Sequence, residues 1–212
     1  MNPAGNPAGF YSFSKMDIIA KTIREVYTRK GYQFFDGVKP YNLNLFGVRY
    51  PGGVNEWSDK ICLLYRNDRL VWDYLETPAT TKSGLSGLKK PVNQKGTGIL
   101  AAGQYLGAYC LDMHNGRHLA LCQRLKPVKV YRDNNLDAAF DLLPETLEDG
   151  FFGINIHSPF SDAPTVDGRS VACQVPATVG AWKKLLGLFM KSSKLYGNSF
   201  TYTLFDAADF AA

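Results

Sequence analysis

The strongest restriction on the fold is a stretch of short apolar runs between about residues 43 and 132. These runs are rich in Val, Ile, Leu, Tyr and Phe, and Gly, Pro, Asn and Asp interrupt them. Such runs, bounded by turn residues, are typical of β-strands. Residues 60–75 are predicted to form one hairpin. Residues 104–114 and 117–123 are predicted to form a second one around Asn115-Gly116. We therefore expect a mainly β protein.

Two segments with the 3.6-residue period of a helix flank this region. The first covers about residues 15–30, with Ser14 as its candidate N-cap. The second contains the apolar residues of 182–190 and ends at Gly197. An alternating run over 199–204 predicts a last strand. The predicted fold class is thus α+β, with a peripheral N-terminal helix and a C-terminal helix.

Size and composition exclude several classes of protein. The 212 residues favour one domain over two, and 45% apolar residues with a net charge of +5 are not typical of a disordered chain. No run approaches the roughly 18 to 20 apolar residues that a membrane span requires, so none is expected. The basic face of the predicted helix at 15–30 is interpreted as solvated, and nucleic acid is not favoured as a partner.

Residues 1–13 repeat Asn-Pro-Ala-Gly and are predicted to form a flexible tail. They contain no basic segment followed by an apolar one, so we expect no secretory signal and synthesis in the cytoplasm. The four cysteines are widely spaced, which favours free thiols over a disulfide framework.

One pattern with metal-binding potential comprises Cys110, His114, His118 and Cys122. On a helix, the spacing of four would align these residues for zinc. A two-residue turn at Asn115-Gly116 would instead place Cys110 and His114 on one face of the hairpin, and the other two residues on the opposite face. The expectation is therefore no metal site.

A second pattern combines His157 with Cys173. The run Gly153–Ser158 predicts a strand with His157 near its end, a Pro-, Asp- and Gly-containing loop follows, and the chain returns into the apolar run 171–175. The imidazole and the thiol can then meet, as base and nucleophile. A buried cysteine and a hydrogen-bonded histidine without catalytic role is the alternative that the spacing leaves open.

These residues resemble the catalytic domain of the L,D-transpeptidases, which are bacterial cell-wall enzymes. The signature of that family is a His after an apolar strand and, further on, Ser or Thr, His, Gly and the nucleophilic Cys. Here His157 precedes Ser170-Val171-Ala172-Cys173, and the hairpin at 60–75 runs into the Thr-Pro- and Gly-containing segment 76–84. The resemblance covers about residues 58–175.

The resemblance implies an L,D-transpeptidase-like β-sandwich or barrel. Its catalytic domain would span residues 58–212, preceded by an N-terminal helix and connecting segment at 14–57. It also implies cysteine-dependent acyl transfer on peptidoglycan stem peptides, by hydrolysis or transfer, with no metal or organic cofactor. Cys173 would be the nucleophile, His157 the base and the Ser158 carbonyl the acceptor that orients His157.

The nucleophile segment would also supply the oxyanion site, with Ser170, Ala172 and Gln174 around the cysteine. Two positions depart from the signature, since Val171 replaces its second His and Ala172 replaces its Gly. A positive φ at Ala172 would be strained. The alternative is therefore a catalytically inactive domain that binds cell wall or serves in an assembly. Without a signal, the expected setting is a phage-type lytic enzyme or virion component that acts after release.

Overall fold

The computed structural model describes residues 14–211, so the predicted tail at 1–13 lies outside the described residues. The fold is α+β and mainly β. Its helices are α1 (Lys15–Arg29), α2 (Leu85–Lys89) and α3 (Val179–Tyr196). Its strands are β1 (Asn44–Arg49), β2 (Asp59–Arg66), β3 (Trp72–Thr80), β4 (Thr97–Leu100), β5 (Gly103–His114), β6 (His118–Gln123), β7 (Val128–Asp133), β8 (Glu148–Gly150), β9 (Val175–Pro176) and β10 (Phe200–Asp206). None of the helices within residues 14–211 has the length and apolar composition needed to cross a bilayer.

The strands form a seven-stranded and a three-stranded sheet. The larger sheet has the order β6-β5-β10-β1-β2-β3-β9, and the smaller has the order β4-β7-β8. β1 and β10 are parallel, whereas the other named pairs of the larger sheet are antiparallel. β1 and β2 are neighbours in this sheet. The predicted boundary at residue 58 therefore falls between two adjacent strands.

The central strands are buried on both faces, which explains their unbroken apolar runs. Leu45 and Ile61 join a core that includes α3 and the small sheet, whereas Phe46 and Cys62 join a second core beneath α1. Because side chains alternate along a strand, each strand contributes to both cores. The two helices thus lie on opposite faces of the central strands.

The helix α1 begins and ends within one residue of the prediction, and α3 ends before Gly197 as predicted. Ser14 caps α1, since its Oγ accepts a hydrogen bond from the Asp17 amide at 3.2 Å. Gly197 follows α3 with a φ of 83°, a conformation that glycine adopts readily.

The basic face of α1 is largely paired with acids of the same chain. Arg24 forms an ion pair with Asp36, and Lys30 forms one with Asp209 at 2.9 Å. These contacts reduce the positive charge that α1 offers to a polyanion.

Candidate functional site

His157 lies in an extended segment between β6 and the segment leading into β9. The sequence predicts a strand here, but the structure has only isolated bridges at Ile156, because the pairing extends no further on either side. Ile156 exchanges two backbone hydrogen bonds with Leu121 of β6, at 2.9 and 3.0 Å. On the other side of the segment, the backbone N–H of Gln174 donates to the backbone carbonyl of Asn155 at 2.8 Å, and the backbone N–H of His157 donates to the backbone carbonyl of Gln174 at 3.2 Å. The main chain around His157 is therefore fixed from both sides.

This pairing places His157 and Cys173 on one face. Ile156 and Gln174 are bridge partners, so the residues next to them, His157 and Cys173, point to the opposite side. Both residues line a cavity of about 560 Å³, together with His114 and other residues between Val92 and Cys173. The structure thus brings the imidazole and the thiol to the same cavity.

His157 is held in one tautomer. Its Nδ1 lies 2.7 Å from the Ser158 carbonyl oxygen, which can only accept, so Nδ1 carries the proton and Nε2 remains able to accept one. The side chain is 3% exposed. The pKa of His157 is lowered from 6.5 to about 4, mainly by burial and to a smaller extent by His114 and His118, while the Ser158 carbonyl acts in the opposite direction. His157 is therefore neutral at pH 7.

Cys173 is half-buried, and its thiol contacts main-chain groups. The backbone N–H of Asn155 donates to Sγ at 3.4 Å, and the thiol donates to the Gly153 carbonyl oxygen at 3.6 Å. Burial raises the pKa of Cys173 from 9.0 to about 11, partly offset by the Asn155 amide. Within residues 14–211, no hydrogen bond joins Sγ to His157. At rest, the cavity is thus lined by a protonated thiol and a neutral imidazole that are not hydrogen-bonded to each other.

Two aromatic rings that the sequence patterns did not associate with His157 stack on it, and a third ring contacts one of these two. His114 stacks on His157 with ring centroids 4.3 Å apart and an interplanar angle of 19°. Phe160 stacks on His157 at 5.3 Å and contacts the His118 ring at 4.8 Å. The site therefore gathers all three histidines of the chain.

Asn155 connects His114 to the nucleophile segment. Its Oδ1 accepts from the Gln123 amide at 2.9 Å, which directs Nδ2 toward His114 Nδ1 at 2.9 Å. Its own amide is the donor to Cys173 Sγ. Strand alternation places Asn155 and His157 on one face, and this was the signal in the sequence that could have identified Asn155.

The β5–β6 turn forms where predicted, with a different register. Asn115 and Gly116 have φ values of 51° and 67°, and the Arg117 amide donates to the His114 carbonyl at 3.1 Å. The ladder nevertheless pairs His114 with His118. Arg117 is thus an extra residue on the β6 side, and it shifts the predicted register by one.

The register corrects the prediction about the four potential zinc ligands. Cys110 pairs with Cys122, and His114 pairs with His118, so all four lie on one face and not on two. The two pairs are four residues apart along the strands, or roughly 13 Å. Among residues 14–211, no group of three or more His, Cys, Asp or Glu side chains is placed to hold a metal ion.

Ser170 and Gln174 support the nucleophile segment from outside the cavity. Ser170 Oγ lies 2.7 Å from the Cys173 carbonyl oxygen and 3.0 Å from that of Lys82. Gln174 is fully buried, and its Oε1 accepts from the Tyr202 hydroxyl at 3.0 Å. Neither residue lines the cavity.

Ala172 is not strained, because its φ is not positive. Its amide and that of Cys173 have no acceptor among residues 14–211, and both residues line the cavity. Neither N–H group thus has a competing acceptor within these residues, which is one requirement of an oxyanion site.

Comparisons of this chain with models of known protein families, with curated proteins and with solved structures found no match. The likeness to the L,D-transpeptidases therefore rests on the motif residues alone.

Proposed function

We propose that this protein catalyses cysteine-dependent acyl transfer on peptidoglycan stem peptides, as an L,D-peptidase or L,D-transpeptidase with an L,D-transpeptidase-like fold. The observation that carries the proposal is the cavity that Cys173 shares with His157, whose Nε2 carries no proton because Nδ1 donates to the Ser158 carbonyl. The Ser158 carbonyl makes the contact to Nδ1 that the family resemblance implies.

The reaction would begin with attack of Cys173 Sγ on a peptide carbonyl. His157 Nε2 accepts the thiol proton as the carbon–sulfur bond forms, because the two pKa values, about 11 and about 4, disfavour an ion pair at rest. Before this step, the thiol must break its hydrogen bond to the Gly153 carbonyl and donate to the imidazole instead. His157 then donates the proton to the departing amine, and water or a second amine resolves the thioester.

The amides of Ala172 and Cys173 are the candidate donors to the oxyanion of the tetrahedral intermediate. In comparable enzymes, loss of one such donor costs about 3 to 4 kcal/mol of transition-state stabilisation. Ser170 supports this arrangement indirectly, since its hydroxyl fixes the Cys173 carbonyl.

A second candidate function is a catalytically inactive domain that binds cell-wall material or serves in an assembly. The observation that favours it is the thiol itself, which is protonated and directed to the Gly153 carbonyl. For either function, the proposed setting is a phage-type lytic enzyme or a virion component.

Mass spectrometry of muropeptides tests the proposal. Purified muropeptides are incubated with wild type, Cys173→Ser and His157→Ala, with Cys110→Ser as a matched control because Cys110 does not line the cavity. Wild type and the Cys110 variant should release a stem-peptide residue or form a cross-link, and the other two should not. Identical products in all four samples, or none in any, would contradict acyl transfer by Cys173.

A further inference from the structure

The cavity around Cys173 has an unbalanced charge. Two arginines line it, Arg132 and Arg169, and no aspartate or glutamate does. Arg132 has a carboxylate partner, since its Nε lies 2.9 Å from a Glu148 oxygen, although Glu148 also pairs with Lys95. Its guanidinium lies over the Phe152 ring at 4.7 Å. Arg169 forms no salt bridge within the described part of the chain. Of the two arginines that line the cavity, Arg169 is therefore the one without a carboxylate partner within residues 14–211.

Arg169 is held in place, yet part of its guanidinium is unused. It ends the short turn Asp167–Arg169, four residues before Cys173. Its Nε and Nη2 lie 3.3 and 3.2 Å from the carbonyl and hydroxyl oxygens of Ser161. Among residues 14–211, Nη1 has no hydrogen-bond acceptor. A guanidinium fixed on one side and open on the other is suited to bind an anion.

The neighbouring polar groups do not compete for this charge. The carboxylate of Asp167 is turned away, toward Thr165 and Asn55, at 2.9 and 3.0 Å. Ala172 and Cys173, whose backbone amides have no acceptor within residues 14–211, line the same cavity. All of these features favour a ligand that carries negative charge.

We propose that Arg169 binds a carboxylate of the substrate and makes the site selective for peptides with a free carboxylate near the carbonyl that Cys173 attacks. The nature of the reacting bond rests on the proposed function. The binding of the carboxylate does not, and it can be measured without turnover.

The test is a titration followed by the backbone amide resonances of Gly168, Val171 and Ala172, at constant ionic strength. The ligands are an acetylated alanine dipeptide with a free carboxylate and the same dipeptide as its carboxamide. A hydrogen bond to a charged group predicts at least about tenfold tighter binding of the carboxylate. Arg169→Gln should abolish this preference.

Two further variants keep the test specific. Arg69→Gln removes the same charge from an exposed turn outside the cavity and should leave the preference intact. Ser161→Ala removes one partner of Arg169 but retains the guanidinium, and it should also preserve selectivity. If the carboxamide binds equally well, or if Arg69→Gln weakens carboxylate binding as much as Arg169→Gln does, the inference is wrong.

This test is separate from the muropeptide assay. Selective carboxylate binding without turnover would contradict the proposed function and leave the role of Arg169 supported. Turnover without carboxylate selectivity would support the proposed function and contradict the role of Arg169.

Discussion

Alkylation of Cys173 by iodoacetamide reports the protonation state on which the proposed mechanism depends, because only the thiolate reacts. With a pKa of about 11, Cys173 is thiolate at about one part in 10⁴ at pH 7, whereas a thiol with the ordinary pKa of 9.0 is thiolate at about one part in 10². A thiolate of higher pKa is intrinsically more nucleophilic, which recovers about tenfold. We therefore expect Cys173 to react about tenfold more slowly than an unburied cysteine.

The pH dependence is the sharper part of this prediction. The rate at Cys173 should rise about tenfold per pH unit from pH 7 to near pH 11, without a plateau at neutral pH. Burial also raises the pKa values of Cys62 and Cys122, to about 12 and about 11. Because these two thiols are fully buried whereas Cys173 is only half-buried, they should react later still. His157→Ala should change the rate by less than about threefold, because a neutral His157 does not stabilise the resting thiolate.

The assay follows each cysteine by peptide mass spectrometry after timed alkylation between pH 6.5 and 10.5. The urea-unfolded protein supplies the reference rate for unburied cysteines, and Cys173→Ser confirms the assignment. A plateau near neutral pH that disappears in His157→Ala would show a thiolate–imidazolium pair at rest. That result would refute the argument for a neutral pair.

Three further predictions concern stability and the histidine stack. Burial lowers the pKa of His157 to about 4, so its contribution to stability is present above pH 6.5 and is lost as the pH falls toward 4. Between pH 7 and pH 4.5, the free energy of unfolding from denaturant titrations should therefore fall by about 2 kcal/mol more in wild type than in His157→Gln. Gly84→Ala would place a Cβ 1.9 Å from the Asp167 carbonyl oxygen, so it should lower the free energy of unfolding, measured by thermal denaturation, by about 1 to 3 kcal/mol. The control Gly180→Ala adds a Cβ in open space within α3 and should not destabilise the protein. His114→Ala should raise the pKa of His157, measured by NMR titration, toward 6.5, whereas His114→Phe, which keeps a stacked ring, should leave this pKa low. Equal pKa values in the two variants would contradict a role of the stack.

The features that the sequence predicts correctly are those with local causes. The cap at Ser14, the helix end at Gly197 and the turn at Asn115-Gly116 each depend on residues within a few positions. Such chemistry is visible in the chain itself. The α+β class follows from the same local periods.

The features that it misses depend on pairings between distant segments. One extra residue, Arg117, changes which side chains share a face, because the side-chain period of a strand is two. The stack of His114 on His157 requires the segment around Ile156 to pair with β6, and no local pattern encodes that pairing. Gln174 is buried because its segment pairs with the one around Ile156, which is again a pairing between distant parts of the chain.

The two candidate functions, an enzyme and a binding domain, make different demands on the cavity. A cavity with one unpaired guanidinium binds an anionic peptide whether or not the thiol reacts, so affinity alone does not distinguish an enzyme from a binding domain. Catalysis additionally requires that negative charge developing on the attacked carbonyl be stabilised more than the ground state. The amides of Ala172 and Cys173, which have no other acceptor within residues 14–211, can supply that difference, whereas Arg169 binds a carboxylate equally in both states. Loss of Arg169 should therefore raise KM with little effect on kcat, and a fall in kcat of similar size would instead place its charge at the reacting carbonyl.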